Sequence, residues 1–149
     1  MTGDVGGELR LGPVPPAVPS AARVELRLGA DQANLTVARS VARSTAAMLD
    51  ADLDTISDLT LAVDEVCSTL IRLAAPGEPV ELTFRRSAAA MTVDASVVAV
   101  DDAGPDTGTF GWQILDALVD QVSFAVRPDP RGRPVVRITL VLTRTAGAG

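Results

Sequence analysis

The sequence has no histidine, no tyrosine and no lysine, so all 13 of its basic residues are arginines. Serine or cysteine nucleophiles activated by histidine, imidazole metal sites, Schiff bases and the lysine of a phosphate-binding loop are excluded together. The single cysteine, Cys67, rules out an internal disulfide and any multi-cysteine zinc site. Aromatic residues make up 3% of the chain. No apolar run reaches the roughly 18 residues that a membrane-spanning helix needs. Positive charge is in deficit: 13 basic against 19 acidic residues leave a net charge of −6, which opposes any fold-wide attraction to nucleic-acid phosphates. Met1 to Pro19 has neither the basic start nor the apolar core of a signal peptide, so a cytoplasmic location is expected. The chemistry left to this chain is that of carboxylates, hydroxyls, guanidiniums and the backbone.

What is present suffices for one domain. The 149 residues are 47% hydrophobic, enough to build a sizeable core. Residues 1–22, with Pro13, Pro15, Pro16 and Pro19 among scattered glycines, are predicted to be a flexible tail, and 145–149 a disordered C-terminus, on either side of a domain over 23–144. Arg23 to Leu28 alternates, with Val24, Leu26 and Leu28 on one face, and reads as a half-buried strand. Asp31 is placed to cap a helix whose apolar stripe is Leu35, Ala38, Ala42, Thr45 and Leu49, widened by Val37, Val41 and Met48. A second helix carries Ile56, Leu59, Val63, Val66, Leu70 and Leu73 on one face and ends before Pro76-Gly77. Two alternating segments follow, around Val80–Phe84 and Met91–Val97, then a Gly/Pro/Asp loop from Asp101 to Thr109. A shorter helix from Phe110 to about Asp120 turns Ile114, Leu115 and Leu118 inward. Strands around Val122–Val126 and Val136–Leu142 close the chain. This order, with hairpin-length connections late in the sequence, predicts an α/β sandwich: a mostly antiparallel, mixed sheet with helices packed on one face.

Chemistry concentrates on the second helix. At 100° per residue, Asp58, Glu65, Thr69 and Arg72 fall within about 60° of one another, away from the apolar stripe. Glu65 and Thr69, four residues apart, point a carboxylate and a hydroxyl into the same space. A solvated face with an N-terminal acid and a C-terminal arginine suited to the helix dipole accounts for the same spacing. Cys67 reads as a packed small hydrophobe, since no lysine or histidine is there to lower its pKa. Phe110 and Trp112 are expected to pack the third helix on the sheet, although an exposed Trp112 would serve as an interface anchor.

The segment Leu61-Ala62-Val63-Asp64-Glu65-Val66-Cys67-Ser68-Thr69-Leu70-Ile71-Arg72 resembles the N-box helix of the GHKL (Bergerat-fold) ATPases, and within them the anti-sigma-factor branch of RsbW-type serine-protein kinases. A second block, Gly108-Thr109-Phe110-Gly111-Trp112-Gln113-Ile114-Leu115 followed by Leu118-Val119-Asp120-Gln121-Val122, is similar to that family's lid-to-helix segment. The resemblance runs from about Val24 to Thr143. It implies ATP and Mg²⁺ as ligands, with Glu65 as general base and the residue four positions on as metal ligand. Here the family's asparagine is Thr69, a shorter, neutral group. The adenine-reading Asp-x-Gly-x-Gly is nearest to Asp102-Ala103-Gly104-Pro105-Asp106, where the last glycine has become an acid that would face phosphates. A strand ending near Val97 would place that motif earlier, where no Asp-x-Gly stands. Gly108 and Gly111 are retained in a short lid.

The resemblance also implies partners. A first-helix arginine contacts both a sigma factor and its competitor in the family, and Leu35-Thr36-Val37-Ala38-Arg39 matches that segment, with Arg43 one turn on. Two guanidiniums four residues apart suit carboxylate recognition. The resemblance thus implies an anti-sigma factor that sequesters an alternative sigma factor of the sigma-F/sigma-B type, is opposed by a STAS-domain anti-anti-sigma factor, and forms a homodimer through its first strand and helix. Two other readings stay open from sequence. One is an ATP-dependent protein-serine kinase acting on the STAS partner with Glu65 as base; the other is a degenerate domain serving only in dimerisation.

Overall fold

A computed structural model describes residues 23–48 and 51–143. The expected tail over 1–22, the C-terminus over 145–149, and Leu49 lie outside the described residues. Five strands form one sheet: β1 (Arg23–Leu28), β2 (Val80–Arg86), β3 (Ala90–Val98), β4 (Gln121–Pro128) and β5 (Pro134–Thr143). Their spatial order is β1-β2-β3-β5-β4, and every pairing is antiparallel. Alternation sorts the side chains. One apolar row crosses all five strands as Leu26, Leu82, Ala95, Ile138 and Phe124, and the next as Val24, Phe84, Val93, Leu140 and Val122. These rows face the helices. The opposite face is polar, and at its centre Asp94 accepts the Thr139 hydroxyl at 2.6 Å and pairs with Arg85.

Helix α1 (Leu35–Ala47) follows a single 3₁₀ turn, Gln32–Asn34, whose Asp31 side chain accepts the Ala33 N–H at 2.8 Å. The expected cap therefore serves the short turn rather than α1 itself. Ala38, Ala42, Thr45 and Ala46 are the buried residues of α1. Small side chains let it lie close against α2, which keeps the buried arc narrow. Val37 and Met48, expected to widen the buried stripe, are 44% and 52% exposed.

Helix α2 (Leu53–Leu73) is the central support. Asp52 caps it by accepting the Thr55 N–H at 2.7 Å, and that hydrogen bond holds the Asp52 carboxyl below the usual carboxylate range. Leu59, Val63, Val66 and Leu70 are buried, as their spacing predicts, and Ala62 and Cys67 extend the buried arc. Helix α3 (Phe110–Leu118) ends two residues before the expected Asp120. Leu115 is its one fully buried residue, while Ile114 and Leu118 are only partly covered. Phe110, expected to pack on the sheet, is instead 75% exposed at the first position of α3. Trp112 does pack there, meeting Phe124 edge-on with ring centroids 5.8 Å apart.

Candidate functional site: a cleft between the second helix and the loop before the third

Burial of the Leu59–Leu70 stripe turns the opposite face of α2 outward. Along it Thr69 Oγ1 donates to the Glu65 carbonyl at 2.9 Å, and Arg72 Nη2 donates to Thr69 Oγ1 at 3.3 Å. The same guanidinium nitrogen lies 3.9 Å from Glu65 Oε2. Helical side chains lean toward the N-terminus, so Arg72 reaches back over Thr69 toward Glu65. Three of the four residues picked out by angular position thus form one connected group.

The facing wall is the loop after β3. Ala99 bridges to Ala74, and the Val100 N–H donates to the Leu73 carbonyl at 3.0 Å, which ties the loop's start to the end of α2. Asp101 accepts the Ala103 N–H at 3.0 Å, leaving Asp102 exposed. Gly104 has a φ of +75°, and a Cβ on it would meet Phe124 and Val126 at 3.1 Å, so both backbone and space require glycine. Asp106 accepts the Gly108 N–H at 2.9 Å, and its carbonyl accepts the Thr109 hydroxyl at 3.1 Å. Thr109 in turn caps α3 by accepting the Trp112 N–H at 3.2 Å.

Between these walls lies a cleft of about 190 Å³ lined by Thr69, Arg72, Gly104, Asp106, Thr109 and Trp112, with Leu73 and Pro105 at its apolar end. Its volume is below the roughly 300 Å³ at which small-molecule pockets begin. Of the sequence-picked residues, Thr69 and Gly104 line it; Asp102 and Gly108 stay on the exposed loop outside its lining. Glu65 does not line it either. Gly111, in the first turn of α3, lies against the Glu65 carboxylate so closely that a Cβ there would overlap it, with the carboxyl carbon 2.7 Å away. Gly111 thus covers one side of the Glu65 carboxylate, whose side chain keeps 26% of its surface exposed.

Mg²⁺ does not fit the side chains as arranged. The Thr69 hydroxyl proton is engaged by the Glu65 carbonyl, and its oxygen already faces a guanidinium. Among the described residues no three His, Cys, Asp or Glu side chains gather as a metal-binding group. The fixed cation of Arg72 beside Thr69 and Glu65 opposes a second cation at that spot.

Arg39 and Arg43 lie elsewhere, on α1. Arg39 Nη1 donates to Asp64 Oδ1 at 2.6 Å, crossing from α1 to α2, and Arg43 is exposed one turn further on. Sequence reasoning did not find Asp64 as the partner of Arg39. The two are 25 residues apart, and only the packing of α1 on α2 brings them together. Nor did it identify the role of Arg72 in the cleft. Its place on the Glu65–Thr69 face was the available signal.

Cys67, next to this face in sequence, points into the core and is 2% exposed. Burial pushes its thiol up to about 12, and the nearby negative charge of Asp64 adds to the shift. Because the thiolate is the reactive form, the folded protein is expected to resist iodoacetamide at pH 8 and to take up one equivalent after denaturation. Mass spectrometry before and after adding guanidinium chloride checks this; rapid modification of the folded chain would contradict the burial.

Comparison with known proteins places this geometry in a family. The histidine kinase-like ATPase domain pattern matches residues 28–140. The chain is 35% identical, over 128 residues, to the anti-sigma-F factor RsbW of Mycobacterium tuberculosis in strains CDC 1551 / Oshkosh and ATCC 25618 / H37Rv. Those alignments cover 84% of this chain and 76% of the relatives. Among solved structures, that of the RsbU and RsbW domains of another M. tuberculosis protein superposes with a TM-score of 0.58 at 18% identity. That match covers 83% of this chain but only 33% of the solved one, so the fold alone is shared with a part of it.

Proposed function

The chain belongs to the histidine kinase-like ATPase domain family, and from that premise we propose that it is an anti-sigma factor. It binds an alternative sigma factor of the sigma-F/sigma-B type and holds it away from RNA polymerase until a STAS-domain anti-anti-sigma factor competes for the same surface. The observation that carries this reading is the 35% identity, over 128 residues and 76% of their length, to relatives named anti-sigma-F factor. The surface of the protein is compatible with it. Arg39, oriented by Asp64, and the exposed Arg43 offer guanidiniums for acidic partner side chains on a protein of net charge −6. That net charge also disfavours direct nucleic-acid contact. Strand β1 pairs only with β2 among the described residues and leaves an open sheet edge, which suits homodimerisation in which that strand takes part together with α1. No helix among the described residues is long and apolar enough to cross a membrane; a sigma-factor partner places the protein in the cytoplasm.

Phosphoryl transfer to the STAS partner is the competing reading, and nothing in the arrangement of the site favours it. Glu65 lies under Gly111, and the Thr69 hydroxyl is engaged within its own helix.

Reconstitution tests the proposal. The purified chain, mixed with a sigma-F-type sigma factor from the same organism, is expected to co-elute with it and to inhibit promoter-specific transcription. Adding the STAS protein should restore transcription, and Glu65→Gln should leave sigma binding unchanged. Absence of a complex with every sigma factor of this type from that organism would overturn the reading.

A further inference from the structure

Strand β1 has a twin in the chain. Glu8-Leu9-Arg10-Leu11-Gly12 repeats Glu25-Leu26-Arg27-Leu28-Gly29 residue for residue. The later of the two is β1 with the glycine that ends it; the earlier lies outside the described residues. We propose that Glu8–Leu11 is laid antiparallel along the free edge of β1 as a further strand and closes the sheet on that side.

That edge is unfinished in two respects. Among the described residues β1 pairs only with β2, so half of its N–H and C=O groups turn to the open side. Its apolar row is also half covered. Val24, Leu26 and Leu28 are partly buried, whereas Val80, Leu82 and Phe84, one strand inward, are at most 2% exposed. Leu9 and Leu11, spaced for one face of a strand, would complete those rows.

Charge selects the direction and the register. With Leu9 opposite Leu26 and Leu11 opposite Val24, Glu8 faces Arg27 and Arg10 faces Glu25. The Glu25 and Arg27 side chains are 63% and 73% exposed and so open to new partners. Arg27 already lies 3.8 Å from Glu81 of β2, and Glu8 would extend that alternating row across three strands. A slip of two residues either way sets Arg10 against Arg27 or Arg23, and a slip of one turns both leucines to the polar face. Parallel alignment of the twins in step sets like charge beside like. The opposite edge of the sheet, β4, carries no acidic residue to receive Arg10.

The connection is sufficient. Ten residues, Pro13 to Ala22, join the two segments, and neighbouring strands are only about 4.8 Å apart. Proline cannot donate to a ladder, so Pro13, Pro15, Pro16 and Pro19 keep the connector itself out of the sheet. A tether this short gives the segment an effective concentration in the millimolar range. The β1 strand of a second copy offers the same four residues to the same edge, but without that advantage. Glu8–Leu11 therefore holds back edge-to-edge association of two copies. This consequence rests on the homodimer reading above; the strand pairing does not.

Cross-linking in the full chain tests the pairing. Buried Cys67, 2% exposed, does not compete for the added thiols. Under mild oxidation at micromolar protein, Arg10→Cys with Glu25→Cys is expected to close within one chain about tenfold or more faster than Arg10→Cys with Arg27→Cys, because directly opposed Cα atoms lie about 4.5–5.5 Å apart and diagonal ones beyond the disulfide range. Non-reducing gels and mass spectrometry read the product. Equal rates for the two pairs, or a product that is mainly a cross-linked dimer, would overturn the proposal, the latter by giving the edge to a second copy. Glu8→Arg with Arg10→Glu, checked by circular dichroism, is expected to speed amide exchange in β1 and at Leu9, and to lower the Kd of self-association in sedimentation equilibrium about tenfold. Adding Glu25→Arg and Arg27→Glu should restore the slow exchange. Exchange left unchanged by the swap would overturn the pairing. Unchanged self-association alongside the within-chain cross-link would leave the pairing standing and overturn the homodimer reading of this edge.

Discussion

Arg39→Glu is expected to weaken binding of the sigma factor by about 2–5 kcal/mol, roughly 30-fold to several thousand-fold, the range found when a desolvated interface charge pair is broken. The geometry gives the reason. Arg39 projects from α1 with 39% of its side chain exposed, and one nitrogen is held on Asp64 at 2.6 Å. That contact, with the bond from Nη2 to the Thr36 hydroxyl at 3.3 Å, fixes the plane of the guanidinium, and the N–H donors left over serve a partner carboxylate. Reversing the charge replaces attraction with repulsion on both sides, toward the partner and toward Asp64. The fold should change little, since an ion pair this exposed contributes at most about 1 kcal/mol after solvent screening. Calorimetric titration of the folded variant with the sigma factor and, separately, with the STAS protein checks the prediction. Unchanged affinity for both would exclude α1 as the docking face.

Phe84→Ala is expected to destabilise the folded state by about 3–5 kcal/mol, a large share of the 5–15 kcal/mol typical of a domain. Phe84 is the largest of the fully buried side chains and sits in the second apolar row of the sheet between Val24 and Val93. Removing the ring leaves a cavity on the helix-facing side of the sheet that its rigid strand neighbours cannot collapse to fill. Urea unfolding followed by Trp112 fluorescence should show a lower midpoint with an unchanged slope. A shift corresponding to less than 1 kcal/mol would mean that Phe84 is not central to the core.

How much of this was legible in the sequence varies by element. The strands were, because alternation is a local property. Val24, Leu26 and Leu28, or Val136, Ile138 and Leu140, carry their burial in their spacing whatever they pack against. The stripe on α2 was legible for the same reason, and so was the grouping of Glu65, Thr69 and Arg72 on its other face. Helix α1 was less so. Val37 and Met48 satisfy a helical stripe, but how wide that stripe must be depends on the neighbour, and the small Ala38, Ala42 and Ala46 already fill the contact with α2. The same holds for Phe110, apolar but left exposed at the start of α3.

The sequence by itself determined the alternation of elements, the antiparallel sheet they build, the family, and the identity of the chemical groups available, because each of these is written in residue type and short-range period. Only the tertiary structure decided what those groups do to one another. It set Asp64 against Arg39 across 25 residues, laid Gly111 on the carboxylate of Glu65, pressed Gly104 against Phe124, and closed the cleft to about 190 Å³. Such contacts depend on the crossing of α1 with α2 and on the path of one loop, and neither has a local signature, since both are fixed by how whole faces of the core fit together.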